Sequence, residues 1–408
     1  TELHARVSSM EWQPLEPRCG SVRHPIDGSD PTTRWGEGAC VVAVALSEGL
    51  LSLISPQVYR RPPKIWQFDA ELGWAHVPGG RGRLVTPEFS VDIAINSAGL
   101  RDSEYAEAKA PGVRRILLFG DSFAEGWGVE SVDALSTRLQ SCLRQGGERV
   151  EVLNFGVAGY GTDQAYLAFQ KLGKRFQPDL VIALFYGNDL WNNASPRGIG
   201  AEQGYKPYFR PQRNGRLLLQ GVPVRKTRYW DADRYKNAPY PERARQYLRT
   251  HWHLYALVEK ALKPEMPAAQ QTKFYDGLYG VDAAGKWQPV WDLTGFILRD
   301  FAESVRKTDA DFLLVYAPSI VQIEEQNWVD KKALHGLDGA YDLKTPNRQL
   351  DALSRRYGLT MIDLYDDFKR ASVDRDLYLR DSHWNAEGHL LAAQSLCGFL
   401  RSNEDNRP

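Results

Sequence analysis

Two textures alternate along most of this chain. Short apolar runs closed by glycine give way to longer segments whose apolar residues recur every three or four positions. "RRILLFG" (114–120), "VEVLNFG" (150–156) and "PDLVIALFYG" (178–187) are runs of the first kind. Their length and bounding glycines predict strands buried on both faces. "SVDALSTRLQSCLRQGG" (131–147) is of the second kind, with Val132, Leu135, Leu139 and Leu143 at helical spacing and Gly146-Gly147 as the stop. "TDQAYLAFQKLGKRF" (162–176) comes after the second strand as another predicted helix. The rhythm βαβαβ predicts a parallel sheet with helices on its faces.

The rhythm breaks after Asn188 and resumes near Trp291. There "WDLTGFILRDFAESVRKT" predicts a helix, "DFLLVYAP" a strand, "NRQLDALSRRYG" a helix, "LTMIDLYDDF" a strand and "AEGHLLAAQSLCGFLRS" a closing helix. A turn-rich loop from Lys369 to Asn385 precedes the last of these. The stretch between, 191–290, is polar and rich in aromatics. A connection that long without structure of its own is improbable, so it is expected to be an inserted cap, with "ERARQYLRTHWHLYALVEKALK" as one helix. Upstream, residues 61–112 alternate in short runs closed by turn residues and predict a small β-rich lead-in. Residues 1–60 are expected to be an irregular N-terminal segment. Within them the stretch from Cys40, broken by Glu48-Gly49 and continued by Arg60-Arg61-Pro62-Pro63, reads either as the remnant of a membrane anchor or as a buried helix. The expected core is therefore 113–190 together with 291–403.

Composition narrows the function classes. The 408 residues carry 51 Lys+Arg against 51 Asp+Glu. That balance lacks the basic excess of a nucleic-acid binder, so no nucleic-acid partner is expected. Four scattered cysteines make no C-x-x-C pair, and Cys142 and Cys397 read as buried thiols within helical patterns. His251 and His253 stand two apart, which on a helix points them away from each other, so no metal site is expected. The spacing of Gly156, Gly159 and Gly161 fits no nucleotide fingerprint, and no cofactor is expected.

In open parallel sheets, functional groups gather at the carboxyl ends of the strands. Gly120-Asp121-Ser122 lies after the first core strand, "NFGVAGYGTDQ" after the second, "YGNDL" after the third, and "RDSHWN" after the last. By itself a Gly-Asp-Ser before a helix reads as a turn with an N-cap, and each of the other pieces has a similar bland reading. Jointly they supply what acyl transfer needs. Ser122 is a candidate nucleophile, His383 its base and Asp381 the group that orients the base. The N–H groups of Ser122 and Gly159 and the amide of Asn188 are candidate oxyanion donors. There is no G-x-S-x-G elbow, which disfavours a conventional α/β-hydrolase.

These blocks resemble the SGNH hydrolases, the GDSL-like superfamily. The resemblance implies a three-layer α/β/α sandwich around a mostly parallel, flavodoxin-like sheet. It implies a serine esterase acting on short acyl groups, acetyl above all, with carbohydrate esters among its substrates. Two departures stand out: Gly187-Asn188-Asp189 shortens the family's G-x-N-D block, and Asp381-Ser382-His383 shortens its D-x-x-H block by one residue. With Trp384, that last block resembles the DxHW variant of alginate-type O-acetyltransferases and related membrane-associated proteins. Transfer of acetyl to or from a polysaccharide is thus the second reading, and a non-catalytic carbohydrate-binding protein the third. The expected partner is a small-molecule or glycan ester. An extracytoplasmic or membrane-associated bacterial location is the expectation, with a cytoplasmic one left open. Trp127, Trp230, Trp252 and Trp384 are candidate substrate contacts, joined by Tyr229 and Trp287 in the insertion, and packing is the alternative for each.

Overall fold

The computed structural model describes residues 31–58, 65–197, 204–227, 230, 238–262, 268–281 and 283–404. The chain divides into two compact units, Thr1–Gly49 and Leu50–Pro408. Residues 1–30 of the expected irregular segment lie outside the described residues, and the segment continues as a helix, α1 (Pro31–Ile54). It is not a buried helix: Val41, Leu46 and Leu53 on it are exposed. No described helix is long and apolar enough to cross a membrane.

The lead-in of the second unit is two hairpins, β1 (Trp66–Asp69) with β2 (Gly73–His76) and β3 (Arg81–Val85) with β4 (Ser90–Ala94), both antiparallel. The core then runs β5 (Arg114–Phe119), α2 (Ser122–Glu125), α3 (Leu135–Gln145), β6 (Val150–Asn154), α4 (Thr162–Lys171), β7 (Leu180–Phe185) and α5 (Asp189–Ala194). The insertion contains a hairpin, β8 (Tyr208–Pro211) with β9 (Leu217–Gln220), and helices α6 (Tyr240–His251), α7 (His253–Leu262), α8 (Ala268–Tyr279) and α9 (Ala283–Lys286). The core resumes with α10 (Gln288–Arg306), β10 (Asp311–Tyr316), α11 (Ile320–Ile323), α12 (Glu325–His335), α13 (Thr345–Tyr357), β11 (Thr360–Asp363), α14 (Tyr365–Ala371) and α15 (Ala386–Glu404). The single helix expected at 242–263 is two, because Trp252 adopts extended backbone between them.

The central sheet has five strands in the order β11-β10-β7-β5-β6, every pair parallel. This is the expected flavodoxin-like order. Its middle strands are apolar throughout because both faces are covered: Leu117, Leu118 and Phe119 on β5 and Val181 to Phe185 on β7 are buried. The α3 and α15 helices pack against each other, while α10 packs against α4 and α13. Right-handed crossovers place those groups on opposite faces. The chain leaves β5 toward β6 on one side and returns past it to β7 on the other. The gap between the carboxyl ends of β5 and β7 is therefore the switch point, where a crevice opens in folds of this kind.

Cys142 and Cys397 are not the separate thiols that the helical pattern suggested. They are bridged, Cα to Cα 6.3 Å, and so tie α3 to α15. The apolar setting of both residues hid the pairing, since each helix buries its own face and only the fold brings the two faces together.

His389 on α15 is buried, its ring edge-on to Trp384 at 5.7 Å. Burial, helped by the charge of Arg101, pushes its imidazole down to about 3. In the unfolded chain it titrates near 6.5. Between those values the unfolded chain binds a proton that the folded chain does not, so stability falls as pH drops from about 6.5 toward 3. His389→Gln should flatten this limb by up to about 1.4 kcal/mol per pH unit in urea denaturation. An unchanged pH slope would contradict the neutral burial of His389.

Candidate functional site

Ser122 begins α2 directly after β5, and it is not the cap of that helix. Asp121 is, its carboxylate accepting from the N–H of Phe123 (2.9 Å). The turn-cap reading and the nucleophile reading thus fall on neighbouring residues. Ser122 itself is 8 % exposed. Its Oγ lies 2.8 Å from Nε2 of His383. His383 Nδ1 lies 3.0 Å from Oδ1 of Asp381. A carboxylate only accepts, so Nδ1 carries the proton and Nε2 faces the serine hydroxyl as acceptor.

The shortened spacing of Asp381 and His383 is resolved by the residue between them. Ser382 has φ +76°, in the left-handed region. That fold of the chain lets one carboxylate oxygen of Asp381 take both the side chain of His383 and its backbone N–H (3.1 Å). The second oxygen accepts from the indole N–H of Trp127 (2.9 Å). Burial works to raise the Asp381 carboxyl, but its bonds to His383 and the indole outweigh it and hold the carboxyl below its ordinary value. At neutral pH it is therefore ionised.

The expected oxyanion donors lie past the carboxyl ends of three neighbouring strands, β5, β6 and β7. Asn188 lies just past β7 and donates from Nδ2 to Asp121 Oδ2 (2.8 Å), which fixes the plane of its amide and leaves the second N–H free to point elsewhere. The N–H groups of Ser122 and Gly159 have no protein partner among the described residues. Gly159 has φ +80°, a conformation that a side chain would strain. Gly156 serves closeness instead: a Cβ there would lie 2.2 Å from the backbone nitrogen of Glu125 in the nucleophile's own helix.

Beneath the site is a layer of buried charge. Burial raises both Asp121 and Asp189, and their mutual repulsion pushes Asp189 up further. Asp189 accepts from Thr162 (3.0 Å), and Asp163 is paired with the fully buried Lys206. Glu125 faces His76 at 3.4 Å and accepts from the N–H of Ala158. Arg101 donates to the carbonyls of Glu125, Gly126 and Val129. These bonds hold the turn after the nucleophile from below.

The aromatic candidates divide. Trp127 reaches the site, as a donor to Asp381, with its ring 5.7 Å from that of His383. Trp384 does not: it is 0 % exposed, packed between Phe123 and Phe368, so its place beside His383 is a core role. His383 just before it is only half-buried, but Trp384 points inward because the chain turns at Ser382. Trp252 is 40 % exposed at the break between α6 and α7, and Trp230 packs against the core. Trp287 packs edge-on to Trp191 at 4.6 Å. Tyr229 lies outside the described residues. Among the described residues no group of three His, Cys, Asp or Glu could hold a metal ion.

The sequence pattern did not reveal the role of the lead-in. Trp74 on β2 donates to the carbonyl of Ala158 (3.0 Å), and Tyr160 donates back to the carbonyl of Trp74 (2.5 Å), bracketing Gly159. At the tip of the second hairpin, Glu88 accepts from the N–H of Arg380 (2.6 Å) and Phe89 packs edge-on to Trp127. Both hairpins thus brace loops that carry site residues.

Residues 118–279 match the model of the GDSL-like Lipase/Acylhydrolase family. This stretch is a GDSL-like lipase/acylhydrolase domain. The match begins on β5 and takes in Ser122, Gly159 and Asn188, but ends before Asp381 and His383. The family is one of hydrolases of acyl esters, and the GDSL-like domain is accordingly that of a hydrolytic enzyme. No curated protein matches the chain. Solved structures similar to it include LAE5, an alpha/beta hydrolase enzyme from the metagenome of Lake Arreo, Spain, at 14% identity over 72% of this chain and 96% of that one, TM-score 0.35. They also include Axe2, an acetylxylan esterase from Geobacillus stearothermophilus, at 12% identity over 69% of this chain and 92% of that one, TM-score 0.37.

The left-handed backbone at residue 382 gives a direct test of the short spacing. Ser382→Gly, which adopts that conformation freely, should keep ester hydrolysis within about threefold of the parent. Ser382→Val, whose branched Cβ opposes it, should lower hydrolysis tenfold or more, on the order of the 1–3 kcal/mol such strain costs. Equal rates for both variants in a steady-state ester assay would contradict a conformational requirement there.

Proposed function

We propose that this protein is a serine esterase that cleaves short acyl esters through an acyl-enzyme on Ser122. The observation that carries the reading is the unbroken hydrogen-bonded line from Ser122 Oγ through His383 to Asp381. His383 Nε2 takes the serine proton as Oγ attacks the carbonyl, and Asp381 steadies the imidazolium that forms. The oxyanion is received by the N–H groups of Ser122 and Gly159 and the amide of Asn188. His383 then protonates the departing alcohol. Water enters, gives its proton to the same nitrogen, and releases the acid. Asp121 acts through Asn188, holding its amide in register.

A second reading, transfer of an acetyl group to a glycan hydroxyl, is favoured by the openness of one side of the site. The side chains of His383 and Asp381 are 24% and 39% exposed, so a bulky acceptor has access to the base. The disulfide between Cys142 and Cys397 supports an oxidising, extracytoplasmic location for either reading.

Ser122→Ala should abolish hydrolysis of p-nitrophenyl acetate while the circular dichroism spectrum is unchanged. Asn188→Ala should cost roughly 10²–10³ in kcat. Full activity in Ser122→Ala would overturn the assignment. Release of acetate only when a sugar acceptor is withheld, with an acetylated glycan formed otherwise, would move it to the transferase reading.

A further inference from the structure

The insertion builds a cavity against the catalytic loops. It has a volume of about 90 Å³ and lies where five segments meet, one of them α12 with Lys331. Tyr186 and Gly187 come from the end of β7, immediately before Asn188. Phe274, Tyr275 and Leu278 come from α8 of the insertion. Ile320 and Val321 come from the start of α11, and Ser382, between Asp381 and His383, closes it. The Tyr186 ring lies 4.1 Å from that of Phe123, the residue after Ser122.

The walls are mostly apolar and held in place. Tyr279 and Ser319, which also line the cavity, share a hydrogen bond of 2.6 Å, and Tyr275 stacks on His335 at 5.7 Å. Leu278 is pressed so closely on Gly187 that a Cβ at that glycine would lie 2.6 Å from its methyl carbon. Such a slot is preformed, since its lining residues already meet each other without an occupant. A sugar ring would give up the water of most of its hydroxyls against these walls, where Lys331 is the one charged residue and Ser319 already shares its hydroxyl with Tyr279. An alkyl chain loses nothing there.

Resting on the esterase reading above, we infer that this slot receives the acyl chain of the substrate and limits it to about four carbons. With the carbonyl oxygen at Asn188, the chain leaves the reacting carbon toward Gly187 and the slot, while the alcohol departs on the exposed side of His383. A cavity of about 150 Å³ accepts benzene, with six carbons. The volume here is smaller, about 90 Å³, which accommodates the carbons of an acetyl to butyryl group. The insertion, through α8, is then the part of the chain that sets acyl length.

The test varies the slot and reads chain length. Rates are measured on p-nitrophenyl acetate, butyrate, hexanoate and octanoate for the parent, Leu278→Ala and Val321→Phe. The parent should lose at least tenfold in kcat/KM between butyrate and hexanoate. Leu278→Ala should raise the hexanoate-to-acetate ratio fivefold or more, and Val321→Phe should lower the butyrate-to-acetate ratio by a similar factor. Either variant alone suffices if the other fails to fold. If folded variants keep the parent's chain-length profile while a fluorophosphonate still labels Ser122, the slot is not the acyl site and the esterase reading stands. If the parent itself is neither labelled nor active, both fall together.

Discussion

One hydrogen bond, 2.8 Å from Ser122 to His383, joins residues 261 apart in sequence. Much of the fold can be understood as what holds its two ends still. The nucleophile sits at the end of β5, an inner strand of a sheet buried on both faces, where packing leaves the strand no freedom. The histidine sits on a loop, which by itself would wander. That loop is held at both sides. On one, Glu88 and Trp127 bond the backbone of Arg380 and the carboxylate of Asp381. On the other, the chain enters α15, which the Cys142–Cys397 bridge fastens to α3. A covalent link closing so long a loop removes much of the entropy of the unfolded chain.

The same bond explains why so much charge is buried beneath the site. Asp121, Asp163 and Asp189 lie together in the interior, with Lys206 as the neutralising partner of Asp163. Buried charges that are fully bonded fix geometry more than they add stability. Here they fix the plane of the Asn188 amide, the turn after Ser122 and the start of α4. The lead-in hairpins do comparable work from outside, through Trp74 on the Gly159 loop and Phe89 on Trp127.

The sheet and the four strand ends were legible because both depend on local pattern: short apolar runs, bounding glycines and helical spacing. Ser122 meets His383, and Asn188 bonds Asp121 beside the nucleophile. The rest depended on distance. Nothing near Cys142 signals Cys397, 255 residues away, and each alone looked like a core thiol. Trp384 looked like a site residue from its neighbour, yet the left-handed Ser382 turns it inward. Trp127 was noticed, but as a substrate contact, because the Asp381 oxygen that its indole meets lies 254 residues further on. The β8–β9 hairpin does carry a tight turn signal, Asn214-Gly215, but the apolar runs on either side of it are too short and too interrupted by aromatics and charge to stand out as strands.

The central claim is that Ser122 carries the acyl group between substrate and water. Acid quenching of the enzyme in the pre-steady state with p-nitrophenyl acetate, then peptide mass spectrometry, tests it directly. The account predicts a burst of nitrophenol and one acetylated peptide, modified at Ser122. Hydrolysis with no burst and no acylated residue, or an acyl group on a different side chain, would contradict it.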